Sequence, residues 1–366
     1  MTIDSRDWQA LAGRHRAFWS SAPVDRPLIQ VIHDAYQDTE LVAAMLGAGQ
    51  VTPERIDPAP ILPVYDQMAR ARAAIGDDAI AVAEPLLGIP WMEALAGCPV
   101  MVADGKSVWP AQPDAAVGEI VSDPEDPWLL KLLELLQAVV EHAAGRYAVS
   151  LSHLRGPADV LVALHGSTQF FMLLYEDPAR VQRLARQAAD LWRQVVEAEL
   201  RVVPAFRGGY GVRQFGLWAP ERAVWLQDDT SSMMSADHYR QFFLDALQQM
   251  SWLPYGVLHL HIGSLHVAEL LAGVRNVRAV NLYFDDPQVT LQAAMPTLRR
   301  LQARQVPLIL AKDVYQGFTL AEYAEIMDSL SPRGLSVHLK AESVEEGRAV
   351  MEAVRRMAQQ KGPREP

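Results

Sequence analysis

The sequence predicts an α/β protein: a single (β/α)8 (TIM) barrel with an irregular N-terminal segment and helical insertions. Three observations carry that expectation. From about residue 147, short apolar runs alternate with amphipathic segments of helical spacing, the mark of repeated βα units. The runs are apolar on both alternations, as strands covered by helices on each side must be. The number of units favours closure into a barrel over an open sheet.

In chain order, Pro27–Ile32 and Ala79–Glu84 read as early strands, and Trp128–Gly145 as a strong helix. Between them, Cys98–Val121, with Trp109-Pro110 and Gln112-Pro113, reads as an inserted loop or hairpin, about 98–125 in all. The following strands are Tyr147–His153, Tyr210–Phe215, Val224–Asp228, Val257–Ile262, Ala279–Phe284, Val306–Ala311 and Leu335–Leu339. The helices between and after them are Asp177–Val202, Ser235–Leu253, Ser264–Gly273, Val289–Gln305, Leu320–Leu330 and Val344–Gln360. Ser235 opens one helix, and Ser343 with Glu346 gives the spacing of a capping box for the last. No stretch rich in Gly, Pro or Ser divides the chain, so residues 1–366 are expected to form one domain, with an N-terminal extension of about 1–25.

Composition narrows the function. A net charge of −11 without a Lys/Arg cluster argues against a nucleic-acid surface. A single cysteine, Cys98, leaves no internal disulfide and points to a reducing compartment. The first residues lack a basic and then apolar leader pattern, and no run of roughly 18 apolar residues occurs. The expected setting is therefore the cytoplasm, away from membranes.

Barrels of this kind place their chemistry at the C-terminal ends of the strands. Those ends carry His153, Asp228-Asp229, His259 and His261, Asp285-Asp286, Lys312-Asp313 and His338. A strand alternates its side chains, so His259 and His261 share a face and Leu260 takes the other. Two such imidazoles are core histidines, catalytic groups of a metal-free cleft, or metal ligands; His338 is the best third ligand, with Asp285, Asp313 or His266 for a fourth position. Asp228, Asp285, Asp313 and Glu84 are the candidate catalytic carboxylates. Of Asp228 and Asp229, one is expected to cap the next helix and the other to enter the cavity. His153 and Arg155 are placed to bind a substrate carboxylate, and Asn281, Tyr283 and Asp285 share the inward face of their strand.

At these residues the chain resembles the uroporphyrinogen decarboxylase superfamily, which includes methylcobalamin:thiol methyltransferases. The resemblance rests on Ala17-Phe18-Trp19 with Asp25-Arg26-Pro27, on Gly156-Pro157-Ala158-Asp159 followed by Leu174-Tyr175-Glu176-Asp177-Pro178, and on Gln227-Asp228-Asp229 through Tyr239. It implies a (β/α)8 barrel, often dimeric, with its pocket at the strand C-termini. In the thiol-methylating branch it also implies zinc held by a His-x-Cys pair and a Cys on the last strand. Here His259, His261 and His338 stand at those positions, so imidazoles replace thiolates. The expectation is a zinc- or other divalent-metal-dependent methyltransferase. It would act on a small molecule and exchange the methyl group with a corrinoid on a separate protein. The alternative is a cofactor-independent decarboxylase or lyase, with His338 or Asp228 as general acid. Glu84 would then stand near that branch's cavity Asp, although the branch's Arg-rich opening segment survives only faintly in Ala12-Gly13-Arg14-His15-Arg16.

Overall fold

The computed structural model describes residues 6–32, 42, 45–85, 88–102, 107–312 and 317–361. Eight strands run parallel to their partners: β1 (Leu28–Ile32), β2 (Val82–Ala83), β3 (Ala148–Val149), β4 (Ala223–Gln227), β5 (Tyr255–His261), β6 (Val277–Phe284), β7 (Leu308–Lys312) and β8 (Leu335–Lys340). Six form one sheet in the order β1-β8-β7-β6-β5-β4, and β2 pairs with β3 alone. Parallel neighbours need helical crossovers, and helices such as Leu291–Ala303 and Leu320–Ser329 supply them.

The expected closed barrel is not found: among the described residues the ladder is interrupted twice. Between β1 and β2 the partners are side chains. Ile29 N–H donates to Asp78 Oδ2 at 2.9 Å and Val31 N–H to Asp77 Oδ2 at 2.7 Å, bonds that a neighbouring strand's carbonyls would otherwise accept. Between β3 and β4 lies a short antiparallel hairpin, Tyr210–Val212 with Leu217–Ala219. This corrects the expectation of a barrel strand at Tyr210–Phe215. Gly211 lets the hairpin press on β2 and β3; a Cβ there would lie 2.8 Å from Val82 Cγ1 and 3.0 Å from Ala148 Cβ.

The period of two along each strand separates two apolar layers. Leu258, Leu260, Val280, Leu282, Leu310 and Val337 belong to the large core that the helices cover. Leu28, Trp225, Val257, Ala279 and Ile309 point the other way and form a second cluster with Phe215 and Leu217 of the hairpin. Two residues further along the same strands the inward positions become polar: Gln30, Gln227, His259 and Asn281. The hairpin and its cluster thus fill one end of the sheet's concave side, and a cavity occupies the other. Trimming any of these core leucines to alanine would cost roughly 2–5 kcal/mol.

Other elements follow their sequence signals. In the helix Pro178–Glu199, Val181, Leu184, Ala185, Ala188, Leu191, Trp192 and Val195 make one buried stripe, and Asp177 caps the first turn through Arg180 N–H at 3.0 Å. The expected helix Ser235–Leu253 divides at Phe243, where φ is −125° and the ring packs against Phe170 and Tyr239. The segment expected as helix Ser264–Gly273 is a 3-10 turn, Ile262–Val267, running into Ala268–Leu271. The inserted region is a hairpin: Val100–Val102 and Val108–Pro110 pair antiparallel, with Gly49–Val51 on the other edge. No helix among the described residues is long and apolar enough to cross a membrane.

Candidate active site and metal centre

A cavity of about 300 Å³ opens at the C-terminal ends of the strands. Its polar lining includes Gln30, His153, Gln227, His259, His261, Asn281 and His338, and three cations already paired with carboxylates, Arg72 with Asp77, Arg213 with Glu84 and Lys312 with Glu322; Tyr65, Met68, Phe215 and Trp225 are apolar walls. Register explains the polar row: Gln227, His259 and Asn281 are direct neighbours across β4, β5 and β6, so their side chains leave the sheet on one face.

His259 is buried, and its Nδ1 lies 2.6 Å from Asn281 Oδ1. Its ring stacks on Trp225 at 4.8 Å, and Trp225 stacks in turn on Phe215 at 4.9 Å. Burial lowers its pKa to about 4, so the imidazole is neutral. His261 is half-exposed, with Nδ1 2.5 Å from Asp285 Oδ2 and Nε2 3.2 Å from Asp229 Oδ1. Burial opposes its charge, but the carboxylates of Asp229 and Asp285 outweigh that and raise its pKa to about 9.

Asp229, His259 and His261 bring one donor atom each within 4.8 Å of one another, a group that could hold a metal ion. Because Asn281 and Asp285 engage the two Nδ1 atoms, the donors left are the two Nε2 atoms and an Asp229 oxygen. Gln227 fixes the carboxylate: its Oε1 faces Trp225 Nε1 at 2.8 Å and His153 Nε2, which orients its amide to donate from Nε2 to Asp229 Oδ2 at 2.5 Å. Two imidazoles oriented through their far nitrogens, with a carboxylate third donor, suit a divalent ion such as zinc.

The structure redistributes the residues expected to act. Asp228 does not enter the cavity. It is buried and accepts from Ala158 N–H at 2.9 Å, Asp159 N–H at 3.3 Å and Tyr239 Oη at 2.8 Å, tying the helix Pro157–His165 to the sheet. Asp229, its neighbour, takes the inward place. The signal was present in Trp225-Leu226-Gln227-Asp228-Asp229, whose alternation puts residues 225, 227 and 229 on one face. His338 lines the cavity but lies outside the Asp229, His259 and His261 group. Asp285 contacts the group through His261 alone. His266 bonds the backbone instead, with Nε2 2.7 Å from Met234 O.

Glu84 is buried and accepts from Arg213 Nη1 at 2.7 Å. Arg155 is paired with the buried Glu93 at 3.0 Å. His153 lines the cavity, held by Gln227 and by Trp225 at 4.6 Å, and burial lowers its pKa to about 4. Tyr283 stands edge-on to His259 and His261, with ring centroids 5.3 and 5.8 Å away. Asp313 lies outside the described residues. Sequence reasoning missed Gln227 and Trp225, which set the orientation of Asp229 and His259.

No protein-family model matches the sequence, and no curated protein matches it. Among solved structures, a methyltransferase from Methanosarcina mazei is similar to it, with a TM-score of 0.61 and 16% sequence identity over 95% of this chain and 98% of that one. At that identity the likeness is one of fold: the mixed α/β architecture around a parallel sheet is shared along nearly the whole of both chains.

Proposed function

We propose that this chain is a metal-dependent methyltransferase of the corrinoid-linked kind, moving a methyl group between a small substrate and a corrinoid carried by a separate protein. The observation that carries the reading is the Asp229, His259 and His261 group at the cavity, with both histidines oriented from behind. The fold it shares with a methyltransferase, and the resemblance of its motifs to the thiol-methylating branch, support the same reading.

A divalent metal at these donors would act as a Lewis acid, lowering the pKa of a substrate thiol, hydroxyl or water. The protein's own groups do the rest. Asn281 and Asp285 hold the two imidazoles in place, Gln227 holds Asp229, and the apolar walls exclude water around the acceptor. With His259 neutral, His261 deprotonated on binding the metal, and one carboxylate, the site would leave more positive charge on the metal than one built from thiolates. Of the groups the decarboxylase reading needs, Arg155 and Asp228 are engaged elsewhere, and His338 alone lines the cavity.

Metal analysis of the purified protein, with methylcobalamin demethylation in the presence of small thiols and alcohols, tests the proposal. Bound metal is expected in the wild type and absent from His259→Ala and Asp229→Ala, with demethylation lost alongside it. Demethylation that survives chelation, or a protein that binds no divalent metal, overturns it.

A further inference from the structure

Two buried polar atoms on residues that line the same cavity, both on strands away from the metal-type group in sheet order, have no partner among the described residues: Gln30 Oε1 and His338 Nε2. Gln30 is 6% exposed and His338 4%, and both line the cavity. They are direct register neighbours on β1 and β8, so their side chains leave the sheet side by side. A buried polar atom left unpaired costs roughly 1–3 kcal/mol, and two together are tolerated where a ligand meets them.

We propose that Gln30 and His338 form a subsite for an uncharged substrate group that both donates and accepts a hydrogen bond, a hydroxyl or a primary carboxamide. This deepens the proposed function by giving the class of the small substrate. The Gln30 amide is oriented by its Nε2, which donates to Gln214 O at 3.4 Å, so its Oε1 is an acceptor that needs a donor. Burial, and then the charge of Arg72, lower the His338 pKa to about 3, so its ring is neutral, and the subsite takes it in the tautomer whose Nε2–H donates to the ligand's acceptor. A carboxylate offers Gln30 Oε1 nothing to accept. An ammonium would be desolvated beside the Arg72 guanidinium, which lines the same cavity. Tyr65, Met68, Ala69 and Phe215 bound this part of the cavity, with Phe215 6.1 Å from the His338 ring, so the body attached to the polar group is apolar.

Four probes of one shape separate the possibilities: benzyl alcohol, benzamide, benzoate and benzylamine, titrated into the protein as purified. The alcohol and the amide are expected to bind at least about tenfold more tightly than the two ions, the weight of one buried neutral hydrogen bond. Gln30→Met and His338→Phe should each erase most of that preference, with melting temperature and metal content measured on the same samples to show that the fold and the metal-type group persist. Equal binding of the ions, no binding of the alcohol and amide, or a preference unchanged in both folded variants overturns the subsite. A wild type that lacks metal yet keeps the preference supports the subsite and sinks only the metal-dependent function.

Discussion

Of the chain's three Asp-Asp dipeptides, Asp77-Asp78 ahead of β2 and Asp228-Asp229 at the end of β4 are used by the fold in opposite ways. Asp77 and Asp78 both turn inward to the protein's own frame. Asp78 pairs with Arg26 and with Arg14 Nε at 3.0 Å, Asp77 pairs with Arg72, and each takes a backbone N–H of β1. Asp228 and Asp229 split, one bonding only neutral donors beneath the cavity and the other facing histidines at its edge. What each carboxylate meets decides its role. Guanidinium partners keep Asp78 charged: burial works against it, but Arg26 and Arg14 hold its pKa below the usual carboxylate range. Asp228 meets two amide N–H groups and a phenol, and burial, then the neighbouring Asp159, pushes its pKa well above that range.

The largest effect expected is at the arginine-faced pair. Asp78→Ala strands the buried Arg26 and frees the Ile29 N–H of β1, which should destabilise the fold by roughly 3–5 kcal/mol in denaturant titration. A loss below about 1 kcal/mol would mean that β1 is held by its pairing with β8 alone.

Next comes the split pair. Asp228→Ala leaves Ala158 N–H, Asp159 N–H and Tyr239 Oη without their acceptor but strands no buried charge, at roughly 1–3 kcal/mol in all. Asp229→Ala should cost about 1 kcal/mol, because His261 is partly exposed and the buried Gln227 Nε2 is the one donor left without this acceptor, while abolishing metal binding. If the two substitutions act alike on stability and on metal, the division of labour between the neighbours is wrong. Asp285→Asn, which touches the group only through His261, should weaken metal binding by roughly 10–100-fold without removing it.

The same contrast shows what could be read from the sequence. The strands β4 to β8 were legible because their apolar runs are long and their pairing is backbone to backbone, and His259 and His261 were legible because they close such a run. The join of β1 to β2 was not legible, because it depends on side chains of Asp77 and Asp78 meeting arginines 5 to 64 positions away in the chain. Asp229 was half legible: alternation put it on the face of Gln227, but choosing it over Asp228 required knowing that the helix Pro157–His165 would present its N–H groups to the other neighbour. His338 was located correctly on the last strand, yet its distance from β5 in sheet order became visible only with the strand order itself.

A pH-dependent effect is the cleanest control on the contrast, because it lies apart from both dipeptides. Glu199 is fully buried and accepts from Ser152 N–H at 3.1 Å and from Ser152 Oγ, with no cation against it. Burial raises its pKa from 4.5 to about 7, over the opposing pull of Ser152. The folded protein therefore keeps a proton that the unfolded chain releases. Its stabilising contribution is complete below pH 4.5 and is lost as pH rises through about 7. Across that window the wild type should lose stability with a slope steeper than Glu199→Gln by one proton, about 1.4 kcal/mol per pH unit. Denaturant midpoints measured across the window decide it. Parallel slopes would mean that Glu199 is ionised despite its neutral donors, and the argument that partner chemistry sets the charge of Asp228 would fail with it.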